Sequence, residues 1–340
     1  MGGPHPLTTG PGIGRGSYGA PLGEPPAQLP GSQRRGAPTG PGRRSEERWA
    51  YLFLSPWFVG LILMLGVPLL YAVYISLSNE SLFKIGRFIG LDNYQQILTE
   101  DPSFIQALTV TIKWIALSTP LLLVAGLGVA LLLNQKLPGM NGFRTLLYVP
   151  AVLSGVAVTV LWFLLLNSET GAVNQLLRAL GWHDPPAWFA SAEWAMPALA
   201  IMSLWGVGGG AVIFLAGLQN IPPHLYEAAS IDGAGPFAKF RHVTLPLLSP
   251  TLFFVVVNLV IDGLLVFGPI FVISGGAHSG GPNDSLLFYM LYLYRKGFLE
   301  GQLGYAAALS WILTVIGVGM VWLTLKLERR FVFYETEPAE

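Results

Sequence analysis

Long apolar runs alternate with short polar ones along this chain. Six windows reach or exceed the roughly 20 apolar residues that a helix needs to cross a bilayer core. They are 51–78, 114–134, 145–168, 194–219, 243–273 (interrupted only by Asp262) and 301–325. The pattern predicts an all-α membrane protein with six transmembrane helices. Pro68, Pro120, Pro150, Pro197 and Pro269 lie inside these windows and predict kinks, which membrane helices tolerate where neighbours satisfy the freed backbone groups. The glycines of 206–210 let a neighbouring backbone approach closely, the usual way membrane helices pack.

Composition agrees. The 340 residues are 52% hydrophobic and 11% charged, with mean hydropathy +0.55, whereas soluble domains carry about 25% charged residues. Twenty-one of the first 45 residues are glycine or proline, so residues 1–48 are expected to be a disordered tail. They hold no apolar core of a secretory signal. The membrane body then covers 49–330, and 331–340 form a short second tail. Thirteen of the 19 lysines and arginines fall in segments on the N-terminal side of the membrane, six on the other. The positive-inside rule then puts both termini in the cytoplasm. Net charge is zero and cysteine is absent, so neither nucleic acid binding nor disulfide chemistry is indicated.

Between the fourth and fifth windows, residues 219–246 form a polar loop expected in the cytoplasm. Pro222 and Pro223 suit a helix start, Leu225 to Ile231 allow two turns, and Gly233 suits a C-terminal stop. Pro236 is expected to open a second short helix that Pro246 ends. Helices this short are marginal alone. Tyr226, Ala228, Ala229 and Ile231 would expose apolar surface, so the loop is expected to dock into a partner.

The residues of this loop carry a resemblance. Glu227-Ala228-Ala229, three residues, Gly233, nine residues, Val243, one residue, then Leu245-Pro246 resemble the EAA loop of binding-protein-dependent ABC importer permeases. The surrounding Leu-Tyr-Glu-Ala-Ala-Ser-Ile-Asp-Gly-Ala resembles the carbohydrate-uptake branch. Phe88-Ile89-Gly90-Leu91-Asp92-Asn93-Tyr94 and Gly304-Tyr305-Ala306-Ala307-Ala308-Leu309-Ser310 are similar to the first of the two permease subunits in such systems.

The resemblance implies the type I ABC importer permease fold in the cell membrane and a role in solute passage rather than enzymatic catalysis. Its implied partners are a second permease subunit (as a heterodimer), two ABC ATPase subunits, an extracytoplasmic solute-binding protein and a carbohydrate substrate. ATP and magnesium would be bound by the ATPases, leaving this chain without a cofactor. The loop would be a coupling helix, with Glu227 and Asp232 making polar contacts to the ATPase. Ala228 and Ala229 would pack closely there, and Gly233 would permit the turn. Tyr226, Leu245 and Pro246 complete the coupling set. The same importer class with a non-sugar cargo, such as a glycerol phosphate or a compatible solute, is the alternative.

Asp262 is a carboxylate within an apolar run. Such a group should face a cavity or a partner, because burial in lipid costs about 2.5–3.5 kcal/mol on insertion scales. Asn258, one turn earlier on the same helical face, joins it as a candidate for the substrate path. Trp49, Tyr51, Trp57, Trp182, Trp188 and Trp194 are expected at membrane interfaces. No Gly-Lys dipeptide occurs, so no P-loop is present. The five histidines lack metal-ligand spacing, and no Gly-x-Ser-x-Gly elbow occurs. An ion-driven transporter should show repeated halves and several intramembrane charges, and a membrane enzyme a titratable cluster. Neither signature is apparent.

Overall fold

The computed structural model describes residues 42–135 and 137–331. The expectations for residues 1–41 and 332–340 therefore lie outside the described residues. The described residues fall into two compact units, one ending at Ile62 and the other beginning at Leu63.

In the first unit, α1 (Gly42–Leu61) starts ahead of the expected end of the tail. Residues 43–48 contain neither glycine nor proline and extend the helix. Its side chains Trp49, Tyr51 and Trp57 are exposed, as lipid-facing or interfacial groups should be.

A π-turn, Ile62–Gly66, spans the boundary, and the second unit continues with α2 (Val67–Ser76) and then α3 (Asp92–Thr99). The long α4 (Pro102–Leu133) is followed by α5 (Met140–Val152), α6 (Gly155–Leu165), α7 (Ala172–Ala179), α8 (Ala195–Leu204) and α9 (Val207–Gln219). The loop region holds α10 (Pro223–Ile231) and α11 (Pro236–Lys239), and α12 (Leu245–Leu264), α13 (Gly268–Ile273), α14 (Tyr289–Tyr294) and α15 (Leu303–Phe331) complete the unit. The described residues contain no strand, only two isolated bridges.

Among the described residues, four helical stretches are long and apolar enough to cross a membrane, Trp49–Ser76, Pro102–Leu133, Pro236–Ile273 and Leu303–Leu327. Two bent pairs, α5 with α6 at 94° and α8 with α9 at 50°, bring the total to six if each pair is one span. The sequence windows thus fall on the right segments, but the third and fourth are broken rather than kinked. The third breaks at Leu153-Ser154, just past Pro150, whose ring cannot supply the helical N–H.

Small residues set the helix contacts. A Cβ at Gly208 of α9 would lie 1.8 Å from the Leu147 carbonyl oxygen of α5, so only glycine permits that approach. Added at Gly263 of α12, a Cβ would meet Ile115 of α4 at 2.7 Å. Helix α4 packs on α8, α9, α12 and α14 and runs through two apolar cores. One gathers Trp114, Leu199, Leu264, Tyr289 and Leu309. The other gathers Leu133, Phe214, Leu218, Ile221 and Leu248, at the end that carries α10.

The first core is closed by polar staples. Asp101 caps α4, its Oδ1 accepting from the N–H of Ser103 at 2.9 Å and of Phe104 at 3.3 Å. Its Oδ2 accepts from the phenols of Tyr292 and Tyr305. The Nδ2 of Asn93 donates at 2.9 Å to the carbonyls of both Ser76 and Ser78, satisfying orphan groups at the end of α2. Trp188 is not an interfacial anchor. It is buried in the first core, and its Nε1 donates to Asn174 Oδ1 at 2.6 Å.

Candidate functional site

Three helix breaks converge on one cavity of about 390 Å³. Its wall includes Leu153 and Gly155 at the α5–α6 break, Trp205 and Gly206 at the α8–α9 break, Val266 between α12 and α13, and Pro269 in the first turn of α13. Irregular backbone at membrane depth is tolerated where it lines a cavity or is buried in protein, so the breaks and the cavity explain each other.

The lining is mostly apolar with a few polar groups, the usual composition of a solute site. Trp114 and Trp205 contribute flat faces, Ser118, Thr159 and Ser203 contribute hydroxyls, and Asp262 contributes the one charge in the wall. The hydroxyl of Thr159 donates to its own helix at Gly155 O (2.7 Å), and that of Ser203 to Ala200 O (2.7 Å). Each oxygen keeps acceptor capacity toward the cavity. Among the described residues the Asp262 carboxylate has no hydrogen-bond or ion-pair partner. A carboxylate in this position accepts charge-assisted hydrogen bonds from hydroxyl groups.

Asn258 is placed differently. It does not line the cavity, and its Nδ2 donates to Phe254 O of its own helix at 2.7 Å. One turn of spacing put it on the Asp262 side, but the side chain folds back on the backbone instead. The polar and aromatic lining residues of α4, α6 and α8–α9 were not picked out from the sequence. Isolated Ser and Thr within apolar windows were the available signal.

At the far end of α12 lies the loop with the EAA pattern. Pro222 precedes α10, Pro223 occupies its first turn, and Asp232 is its C-cap. Gly233 takes φ +78°, a left-handed conformation that favours glycine. Its N–H donates to Ser230 O at 3.1 Å and the N–H of Ala234 donates to Ala229 O at 2.9 Å, the Schellman pattern. Glu227, Ala228 and Asp232 are exposed, Tyr226 and Ala229 half-buried.

The expected second short helix is not separate. Helix α11 continues through a π-turn, Phe240–Thr244, into α12, and Pro246 sits in the first turn of α12 instead of ending a helix. The π-turn shifts the hydrogen-bond register ahead of the proline, so its missing N–H breaks nothing. Leu245 and Pro246 therefore belong to the root of α12.

Side-chain hydrogen bonds tie the loop to that root. The Tyr226 hydroxyl lies 3.0 Å from Thr244 Oγ1, and Lys239 Nζ donates to Ser230 Oγ at 2.7 Å. The apolar side chains left outside are Ile231, 87% exposed, and Phe237, 75% exposed. Arg144 Nη2 donates to Leu133 O at 3.0 Å, capping α4 at the same end.

A bundle of membrane helices, broken around a mostly apolar cavity with a few polar groups and carrying the exposed helix α10 at one end, is the architecture of a multi-pass membrane permease. Residues 114–332 match the family described as "Binding-protein-dependent transport system inner membrane component", and the chain belongs to that family. It is 36% identical over 296 residues to the "Probable ABC transporter permease protein YesP" of Bacillus subtilis (strain 168), covering 86% of this chain and 94% of that protein. It is 31% identical over 290 residues to the "Arabinooligosaccharides transport system permease protein AraP" of the same organism, covering 84% and 90%. Identity is 32% over 280 residues to the "Trehalose/maltose transport system permease protein MalF" of Thermococcus litoralis, covering 81% and 94%. The fold matches a chain of the "Crystal structure of a bacterial ABC transporter involved in the import of the acidic polysaccharide alginate", with TM-score 0.75 and 24% identity over 86% of this chain and 99% of that one.

Proposed function

We propose that this chain is one of two permease subunits of an ATP-driven carbohydrate importer, and that loop 219–246 couples it to a cytoplasmic ATPase. The observation that carries the reading is a continuous mechanical connection. The exposed helix α10 is hydrogen-bonded to the root of α12 through Tyr226 and Thr244, and α12 carries Asp262 into the cavity wall. Movement of the docking helix is thereby passed to the solute site.

In this reading Glu227 and Asp232 face polar groups of the ATPase. Ala228 and Ala229 allow close approach, and Ile231 and Phe237 fill its apolar cleft. A second permease supplies the other half of the path, and a binding protein delivers the cargo. Both termini and the loop then lie in the cytoplasm, as the distribution of lysine and arginine supports. ATP and magnesium belong to the two ATPase subunits. The named sugar relatives and the cavity chemistry favour a carbohydrate. Aromatic faces suit the apolar side of a sugar ring, and Asp262 suits its hydroxyls.

The test is uptake of labelled oligosaccharides into proteoliposomes holding the complete assembly. Uptake that requires ATP and the binding protein supports the reading. Uptake driven by a proton or sodium gradient without the ATPase overturns it.

A further inference from the structure

Two residues past the end of α2, the chain makes a short hairpin over residues 78–88. It is well ordered by its own hydrogen bonds. Asn79 N donates to Arg87 O at 3.1 Å, and Ser81 and Lys84 exchange bonds of 3.1 and 3.3 Å across the tip. The Glu80 carboxylate accepts from Gly86 N at 2.8 Å and Asn79 Oδ1 from Arg87 N at 2.6 Å. The anionic and amide side chains of the hairpin are thus turned onto its backbone.

What it presents outward is unlike an ordinary polar loop. Phe83 is 92% exposed and Ile85 87% exposed, with Leu82 and Phe88 also exposed. Lys84 lies between the two most exposed apolar residues, and Arg87 follows; both are exposed. Among the described residues neither cation has a hydrogen-bond or ion-pair partner through its side chain.

The level of the hairpin is fixed at both ends. It leaves a membrane span that ends at Ser76, and it is tied to another that begins at Leu303. Leu82 N donates to Gly301 O, and Gly304 N donates to Glu80 O, both at 3.0 Å. A Cβ at Gly304 would lie 2.0 Å from Ser78 O, so the hairpin sits directly against the first turn of that span. Its tip therefore lies where two spans leave the hydrocarbon.

We propose that this hairpin is a membrane-interface anchor. Leu82, Phe83 and Ile85 enter the boundary between acyl chains and headgroups, and Lys84 and Arg87 bind lipid phosphates. The pattern of apolar tips flanked by cations is the chemistry of interfacial attachment, and long basic side chains reach phosphates from that depth. The anchor fixes the height of α2 and α15 in the bilayer, whatever cargo the assembly carries.

The chain has no cysteine, which makes the test direct. A nitroxide is attached to Phe83→Cys or Ile85→Cys in the full assembly in phosphatidylglycerol-containing nanodiscs. Signal from the assembly holding the cysteine-free parent chain is subtracted. Asp184→Cys, at an exposed loop position, serves as the aqueous reference. Relaxation by oxygen and by a water-soluble nickel chelate is then compared. The proposal predicts an oxygen-to-nickel ratio several-fold above that at residue 184 for both labels. A ratio equal to that at residue 184 overturns it in favour of a solvated loop. Low accessibility to both reagents also overturns it, and points to cover by a protein subunit.

Discussion

The hydroxyls of Tyr226 and Thr244 meet at 3.0 Å across 18 residues of chain. One belongs to helix α10, the other to the π-turn at the root of α12. Thr244 is buried, so this contact is a fixed joint. Tyr226→Phe or Thr244→Val removes a bond worth about 1 kcal/mol. Solute moved per ATP hydrolysed is expected to fall roughly fivefold, the factor that such an energy sets, while the assembly still purifies intact. The ratio of uptake to phosphate release in proteoliposomes measures this. An unchanged ratio would show that the joint transmits nothing.

A second prediction concerns acid. Burial pushes the Asp101 carboxyl up, but hydrogen bonds from Tyr292, Tyr305 and the N–H groups of Phe104 and Ser103 outweigh it and hold it below the usual 3.8. A carboxylate with a lowered folded value contributes stability that is complete above its unfolded value and lost as pH falls through the folded one. Stability owed to this staple is therefore flat at neutral pH and declines below about pH 4. Asp101→Asn is expected to cost about 1–2 kcal/mol at neutral pH, since the site is only partly buried. It should also flatten the acid decline. Thermal unfolding of the purified assembly across pH reads both effects.

Close backbone contacts give a third. Gly208→Ala would drive a methyl into the Leu147 carbonyl, 1.8 Å from the ideal Cβ position. Overpacking of this kind costs about 1–3 kcal/mol or more. Gly210→Ala, where a Cβ meets nothing within 4 Å, is the matched control and should be near neutral. Melting temperatures in detergent separate the two; equal values would contradict the packing of α5 on α9.

The cavity yields a fourth. Asp262→Leu keeps the branching of the side chain but removes the one charge among the described residues of the wall. Transport should drop at least tenfold with assembly unchanged, because one charge-assisted hydrogen bond is worth about 1.5–3 kcal/mol. Asn258→Leu, outside the lining, should leave transport within twofold. The same uptake assay distinguishes them, and equal losses would move the solute site off this cavity.

Much of this architecture was legible in the sequence because it depends on local rules. Apolar length marked the membrane segments, and Gly233 with the preceding EAA pattern marked the end of α10. The right-angle break at Leu153-Ser154 was hidden, because Pro150 signals a kink without giving its size. The continuation of α11 through Pro246 was missed because a π-turn changes the hydrogen-bond register that makes proline disruptive. Nothing local in the sequence singles out Asp101. Its partners Tyr292 and Tyr305 lie 191 and 204 residues away, and no local pattern encodes such a meeting. Gly304-Tyr305 shows the same limit. The glycine admits Ser78 and the tyrosine reaches Asp101, two contacts visible only in the fold.

Coupling of this permease to an ATPase is proposed to run through loop 219–246. The most direct measurement is purification of the tagged chain in mild detergent, followed by mass spectrometry of what accompanies it, for the wild type and for Gly233→Pro. Proline cannot adopt the φ of +78° found at Gly233, because its ring locks φ near −65°. A P-loop ATPase and a second multi-span permease are expected with the wild type, and selective loss of the ATPase with the variant. A wild-type chain that purifies alone, or a variant that retains the ATPase in full, would contradict this coupling.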